Sequence, residues 1–173
     1  FLVRRSSALL ADEMGLGKTV QTVVALEILL QRRDYHRALV ITPASLLSNW
    51  VKEFTTWAPN LVVRRLQGSA EDRSALYDLP VHVLIGSYEQ LRIDAIKMHS
   101  ALRFDIIVID EAQRIKNANS ETALACKLIS RTVAWALTGT PVENQPQDLI
   151  SIFQFLKPGL LRFGVERQYL HKK

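Results

Sequence analysis

The sequence is poor in the residues that hold covalent or metal-stapled scaffolds together. It has a single cysteine, Cys126, so no internal disulfide can form, and a small secreted disulfide fold is excluded. Its four histidines, His36, His82, His99 and His171, are scattered, and no Cys or His pair has the spacing of a zinc site. No apolar run approaches the roughly 18 residues that a membrane helix needs, because Glu27 interrupts the stretch from Val23 to Leu30. A membrane partner is therefore not expected. A reducing, intracellular setting is: the nucleus in a eukaryote, the cytoplasm or nucleoid in a bacterium. Repeats, low-complexity tracts and linkers are absent too, which leaves residues 1–173 as one domain. The chain opens on Phe1, and Arg4-Arg5 precede too short an apolar run for a cleavable signal. We expect a segment of a longer protein.

What is present is ample hydrophobic material, 48% of 173 residues, enough for one buried core. A net charge of +5 is compatible with a polyanionic partner such as nucleic acid without requiring one. Short apolar runs at Ser7–Ala11, Ala38–Ile41, Leu61–Leu66, Val81–Ile85, Ile106–Ile109 and Val133–Leu137 predict six strands. Between them, amphipathic stretches predict helices over Lys18–Gln31, Leu46–Trp57, Glu121–Ile129 and Asp148–Leu156, with Ser45 and Ser120 as caps. Strand–helix alternation implies an α/β fold, a mainly parallel sheet between helices. In such sheets ligands sit beyond the carboxyl ends of the strands.

Three segments come directly after predicted strands and carry chemistry. The first is Asp12-Glu13-Met14-Gly15-Leu16-Gly17-Lys18-Thr19. Glycines let successive N–H groups face an anion, and a helix N-terminus adds positive potential. Lys18 would then reach the β- and γ-phosphates of a nucleoside triphosphate, and the Thr19 hydroxyl would ligate Mg2+. The generic pattern has Gly where this chain has Asp12, so a plain Gly-rich turn is the competing reading. The second segment is an apolar strand ending in Asp110-Glu111-Ala112-Gln113. Strand geometry sends the two carboxylates different ways, which suits Asp110 to the Mg2+ shell and Glu111 to the attacking water. A solvated acidic turn is the alternative. The third is Thr138-Gly139-Thr140-Pro141, whose small hydroxyl residues could sense the γ-phosphate, or form a simple turn.

Together these segments resemble motifs I, II and III of the Swi/Snf family of helicase-like ATPases. Leu39 to Trp50 resembles that family's motif Ia, and Gly86 to Arg92 its motif Ib region; Gln145 to Gly159 resembles the family's segment directly after motif III. Asp at position 12 is common in that family. The resemblance implies a RecA-like P-loop lobe that binds ATP and Mg2+, in a motor that moves along double-stranded DNA. It implies Lys18, Asp110, Glu111 and Gln113 as catalytic, with Gln113 linking the nucleotide to motif III. Thr42, Pro43 and Ser87, the last placed in a loop, would lie along the DNA backbone, with Lys116 nearby. Thr138, Gly139 and Thr140 would couple nucleotide state to movement. The family's adenine-recognising segment lies upstream of motif I, and a second RecA-like lobe supplies an arginine to the transition state, so this lobe alone is expected to be nearly inactive. The alternatives are a lobe of a strand-separating DNA or RNA helicase and a degenerate nucleotide-sensing or protein-binding scaffold. Trp50, Phe54 and Trp57, at helical spacing, are expected to be core, as is Trp135.

Overall fold

A computed structural model of the chain describes residues 1–13, 15–98, 102–139 and 146–159. Met14, His99, Thr140, the rest of 140–145 and His171 lie outside the described residues. Six strands, β1 (Ser7–Leu10), β2 (Ala38–Thr42), β3 (Val63–Arg65), β4 (Val83–Ser87), β5 (Ile106–Ile109) and β6 (Val133–Leu137), form one sheet in the order β1-β6-β5-β2-β4-β3. Every neighbouring pair is parallel.

The four central strands are buried along their whole length, whereas β1 and β3, at the edges, are buried only in part. That is why the central runs read as uninterrupted apolar stretches: each has helices on both faces. The period of two then sorts side chains by face. Ile107 and Ile109 join Leu39, Ile41, Leu84 and Ala136 beneath α4 (Tyr88–Met98), α5 (Glu121–Leu128) and α6 (Pro146–Leu156). Ile106 and Val108 join Val40, Val83 and Trp135 beneath α1 (Lys18–Gln31) and α2 (Leu47–Trp57). Two half-cores thus grip one sheet. Trp135 is fully buried, and its indole N–H donates to the Arg5 carbonyl at 3.0 Å.

Two helices are not anticipated by apolar period. One is α3 (Ala70–Tyr77), which opens on a capping box: Ser69 Oγ accepts from the Asp72 N–H while Asp72 accepts from the Ser69 N–H. The other is α4, which starts on the residue after β4. Its start is also a reciprocal cap, with the Ser87 N–H donating to Gln90 Oε1 at 2.9 Å and the Gln90 N–H donating to Ser87 Oγ at 3.2 Å. Ser87 therefore ends a strand and caps a helix, with no loop between. Ser45 is not a cap: it lies inside a 3-10 turn, Ala44–Leu46, and α2 begins behind it without a side-chain cap. Ser120 does cap α5, accepting from the Ala123 N–H at 3.2 Å. Ser120→Ala is expected to cost about 1 kcal/mol of stability, measured by urea denaturation.

The aromatic stripe on α2 divides. Trp50 and Phe54 are buried with ring centroids 6.1 Å apart, but Trp57 is 50% exposed and donates to Glu53.

Candidate functional site

The carboxyl ends of β1, β6 and β5 lie side by side, roughly 4.8 Å from strand to strand, and each carries one of the three segments. The β6 end is tied to β1 by the Thr138 N–H on the Leu10 carbonyl, 2.9 Å, and the β5 end to β2 by the Asp110 N–H on the Ile41 carbonyl, 2.8 Å.

In the loop after β1, Gly15 (φ 86°) and Gly17 (φ 73°) hold left-handed backbone, and space in front of both is open. A side chain there is penalised by conformation rather than by a clash. Asp12 has no such conformation, which explains why the loop tolerates an aspartate where a glycine is generic. Gly17 is the N-cap of α1. With no side-chain cap and no acidic residue in its first turn, that helix end has amides and a dipole that suit an outside anion. Lys18 Nζ donates to the carbonyls of Asp12 and Glu13, both at 2.8 Å, which holds its positive charge over the loop. Thr19 and Leu16 sit on either side, half-buried and exposed respectively. Beside Gly17 an apolar groove of about 600 Å³ runs between Leu2-Val3 and the α1 face carrying Val20, Val24 and Ile28.

The two acids after β5 do diverge. Asp110 turns inward: only 7% exposed, its Oδ2 accepts from Trp50 Nε1 at 2.8 Å and from Thr42 Oγ1 at 3.0 Å, and its Oδ1 accepts from the Glu111 N–H at 2.9 Å. Burial pushes its carboxyl above the ordinary carboxylate range; the Trp50 and Thr42 hydrogen bonds oppose that, and the Glu111 charge adds to it. Glu111 turns the other way because its backbone is left-handed, φ 52°, ψ 54°, a conformation that costs a non-glycine residue free energy and concentrates at functional positions. Its Oε2 accepts from Gln113 Nε2, and Thr138 Oγ1 donates to Gln113 Oε1 at 2.9 Å. Gln113 thus bridges the acidic segment and the segment after β6. Gly139 comes next at the same edge, half-buried.

Other expected contact residues are placed differently. Thr42 is fully buried with its hydroxyl on Asp110, Pro43 is buried, and Ser87 is 4% exposed with its hydroxyl engaged by Gln90. Neither hydroxyl is presented to a passing phosphate backbone, because each is spent inside the sheet edge. The exposed surface there is Ala44, Ser45, Ser48 and Asn49. Lys116 is exposed, directly after the 3-10 turn Ala112–Ile115.

Two participants escape the sequence reading. Trp50 reads as core and is core, but it also donates to Asp110. Tyr88 donates its hydroxyl to the Asp110 carbonyl at 2.6 Å. The available signal is chemical: a buried indole or phenol needs a partner, and apolar period does not say where that partner is.

A family model described as the SNF2-related domain matches residues 2–168. An uncharacterized ATP-dependent helicase of Mycoplasma genitalium is 44% identical over 163 residues, 93% of this chain and 16% of its own length. The chromatin-remodeling ATPase INO80 of Lodderomyces elongisporus is 36% identical, over 89% of this chain and 10% of its own. The solved Sulfolobus solfataricus SWI2/SNF2 ATPase core in complex with dsDNA superposes with a TM-score of 0.80 at 39% identity, covering 90% of this chain and 32% of that one. The chain thus spans a minor part of the proteins it is similar to.

Proposed function

This chain belongs to the SNF2-related family, and from that premise we propose that it is the nucleotide-binding, RecA-like lobe of an ATP-driven motor on double-stranded DNA. The observation that carries the reading is the convergence of the Lys18 loop, Asp110-Glu111 and the Gln113–Thr138 bridge on one sheet edge. The relatives' names describe an ATP-dependent helicase and a remodeling ATPase, and the solved neighbour's describes a complex with dsDNA.

In this reading the triphosphate lies across the Asp12–Thr19 loop. Lys18 exchanges its two carbonyl partners for phosphate oxygens, with the base in the apolar groove by Val20 and Val24. The donors fit a magnesium ion. Asp110 Oδ1 keeps a lone pair beyond the Glu111 N–H bond, Thr19 adds a hydroxyl, and no cluster of three acidic or imidazole ligands occurs among the described residues. That sparse set matches an ion that keeps waters and substrate phosphates as its other ligands. Bound there, it would neutralise charge on the transferring phosphoryl group. Glu111 orients a water on the γ-phosphorus and takes its proton; the water's oxygen bonds to phosphorus as the bond to the β–γ bridging oxygen breaks, giving ADP and phosphate. Gln113 and Thr138 feel that change directly, because Gln113 bonds to Glu111. A second lobe supplies the transition-state arginine, and this lobe alone turns over slowly. We place the motor inside the cell with its DNA, in a nucleus or nucleoid.

The test is ATP turnover by the full-length protein. Duplex DNA should stimulate it, single-stranded RNA should not, and a third strand should be displaced from a triplex while the duplex stays paired. Strand separation would point to an unwinding helicase. Full biological function with Lys18→Ala would point to a scaffold that has abandoned hydrolysis. Either result replaces this reading.

A further inference from the structure

We propose that Trp50 and Thr42 are positioning residues for the metal-holding carboxylate, clamping Asp110 so that only its Oδ1 is offered to the cation. The inference rests on the nucleotide reading above and extends it to residues with no place in that chemistry.

A carboxylate oxygen accepts about two hydrogen bonds. Oδ2 of Asp110 receives two, the indole N–H of Trp50 at 2.8 Å and the hydroxyl of Thr42 at 3.0 Å. Among the described residues Oδ1 receives one, from the Glu111 N–H, which lies beside it in the chain. The two oxygens are therefore unequal. Oδ2 is saturated and turned into the protein, and Oδ1 alone has capacity left. Rotating the carboxylate to exchange them would break both bonds to Oδ2 in a site where Asp110 is 7% exposed and water cannot replace them.

The donors come from separate elements, Thr42 from the last position of β2 and Trp50 from the first turn of α2. Tyr88, at the start of α4, fixes the backbone of the same residue through the Asp110 carbonyl at 2.6 Å. Three elements thus converge on one aspartate that belongs to none of them. Packing alone does not require this. Valine would fill the space of Thr42 and phenylalanine most of that of Trp50, both fully buried, without an N–H or O–H to satisfy. Groups that orient a metal ligand from behind typically change metal affinity or activity by about 10- to 100-fold when lost.

The experiment is titration of a fluorescent ATP analogue bound to the full-length protein, with magnesium and in excess EDTA, for the parent, Trp50→Phe, Thr42→Val and Thr42→Ser. Trp50→Phe and Thr42→Val should each raise the magnesium concentration for half-maximal binding by about 10-fold or more. Affinity in EDTA should stay at the parent value, and Thr42→Ser, which keeps the hydroxyl, should behave as the parent. If Trp50→Phe does not fold, the nearly isosteric Thr42→Val decides the question by itself. An unchanged magnesium requirement in Thr42→Val, or equal weakening with and without magnesium, overturns the clamp and leaves only packing. A parent protein whose nucleotide binding ignores magnesium overturns the clamp, and one that binds no nucleotide overturns the nucleotide reading itself.

Discussion

Glu111→Gln is expected to lower ATP turnover of the full-length protein by roughly 10²–10⁴-fold, the usual contribution of a positioned general base, while nucleotide affinity is kept. The substitution removes the basic oxygen and little else. Glutamine has the same length, and its amide oxygen can still accept from Gln113 Nε2, so the bridge through Gln113 to Thr138 survives. The left-handed backbone at position 111 is set by the tie between the Asp110 N–H and the Ile41 carbonyl before it and by the 3-10 turn Ala112–Ile115 after it. It does not depend on the carboxylate. Steady-state turnover and binding of a fluorescent ATP analogue separate the two effects. A loss of turnover under about tenfold would mean that Glu111 is not the base; a parallel loss of binding would mean that it holds the site's shape instead.

The divergence of Glu111 from Asp110 was expected from strand alternation, but both residues lie beyond β5 (Ile106–Ile109), and it is the left-handed backbone at Glu111 that turns its side chain away. Most of the sheet was readable from its apolar runs. Ile106–Ile109 and Val133–Leu137 are strands over the expected residues, since a central strand with helices on both faces must be apolar throughout. The edge strand β3, Val63–Arg65, is shorter than the expected Leu61–Leu66, and two of its three residues, Arg64 and Arg65, face solvent. The helices α3 and α4 were not readable from apolar period. They announce themselves by caps, Ser69 with Asp72 and Ser87 with Gln90, and by an ion pair that spans 21 positions of sequence.

The site divides along the same line. Each of the three segments at the β1, β6 and β5 ends could be located locally, since its function depends on neighbours in the chain. The partners of Asp110 could not, because Thr42 and Trp50 are 68 and 60 residues away and meet it only through strand order. Strand order also spends the hydroxyls of Thr42 and Ser87 inside the protein, where sequence resemblance alone placed them along DNA.

Asp94→Ala is expected to cost about 3–5 kcal/mol of stability, the range for leaving one member of a buried ion pair alone. Arg73 lies on α3 and Asp94 on α4, with side chains 7% and 1% exposed. The guanidinium forks the carboxylate, Nε to Oδ2 at 2.8 Å and Nη2 to Oδ1 at 2.6 Å, Nη1 donates to the Gly68 carbonyl, and the Tyr77 hydroxyl gives the carboxylate its third bond, the second to Oδ2, at 2.9 Å. The Asp94 hydrogen bonds raise the Arg73 pKa despite opposing burial, and burial with Asp94 nearby raises that of Tyr77. Alanine would strand a cation and a phenol together. Urea denaturation measures the cost, and a change below about 1 kcal/mol would show that water reaches the pair and screens it. The loss should also reach the nucleotide site, because the pair joins α3 to α4 and Tyr88, the first residue of α4, holds the Asp110 carbonyl. Arg73→Met with Asp94→Leu replaces the charges by apolar volume, and should recover most of the stability that the single change removes. Recovery of turnover along with stability would show that the pair serves the site only by fixing α4; stability without turnover would show that its geometry is needed as well.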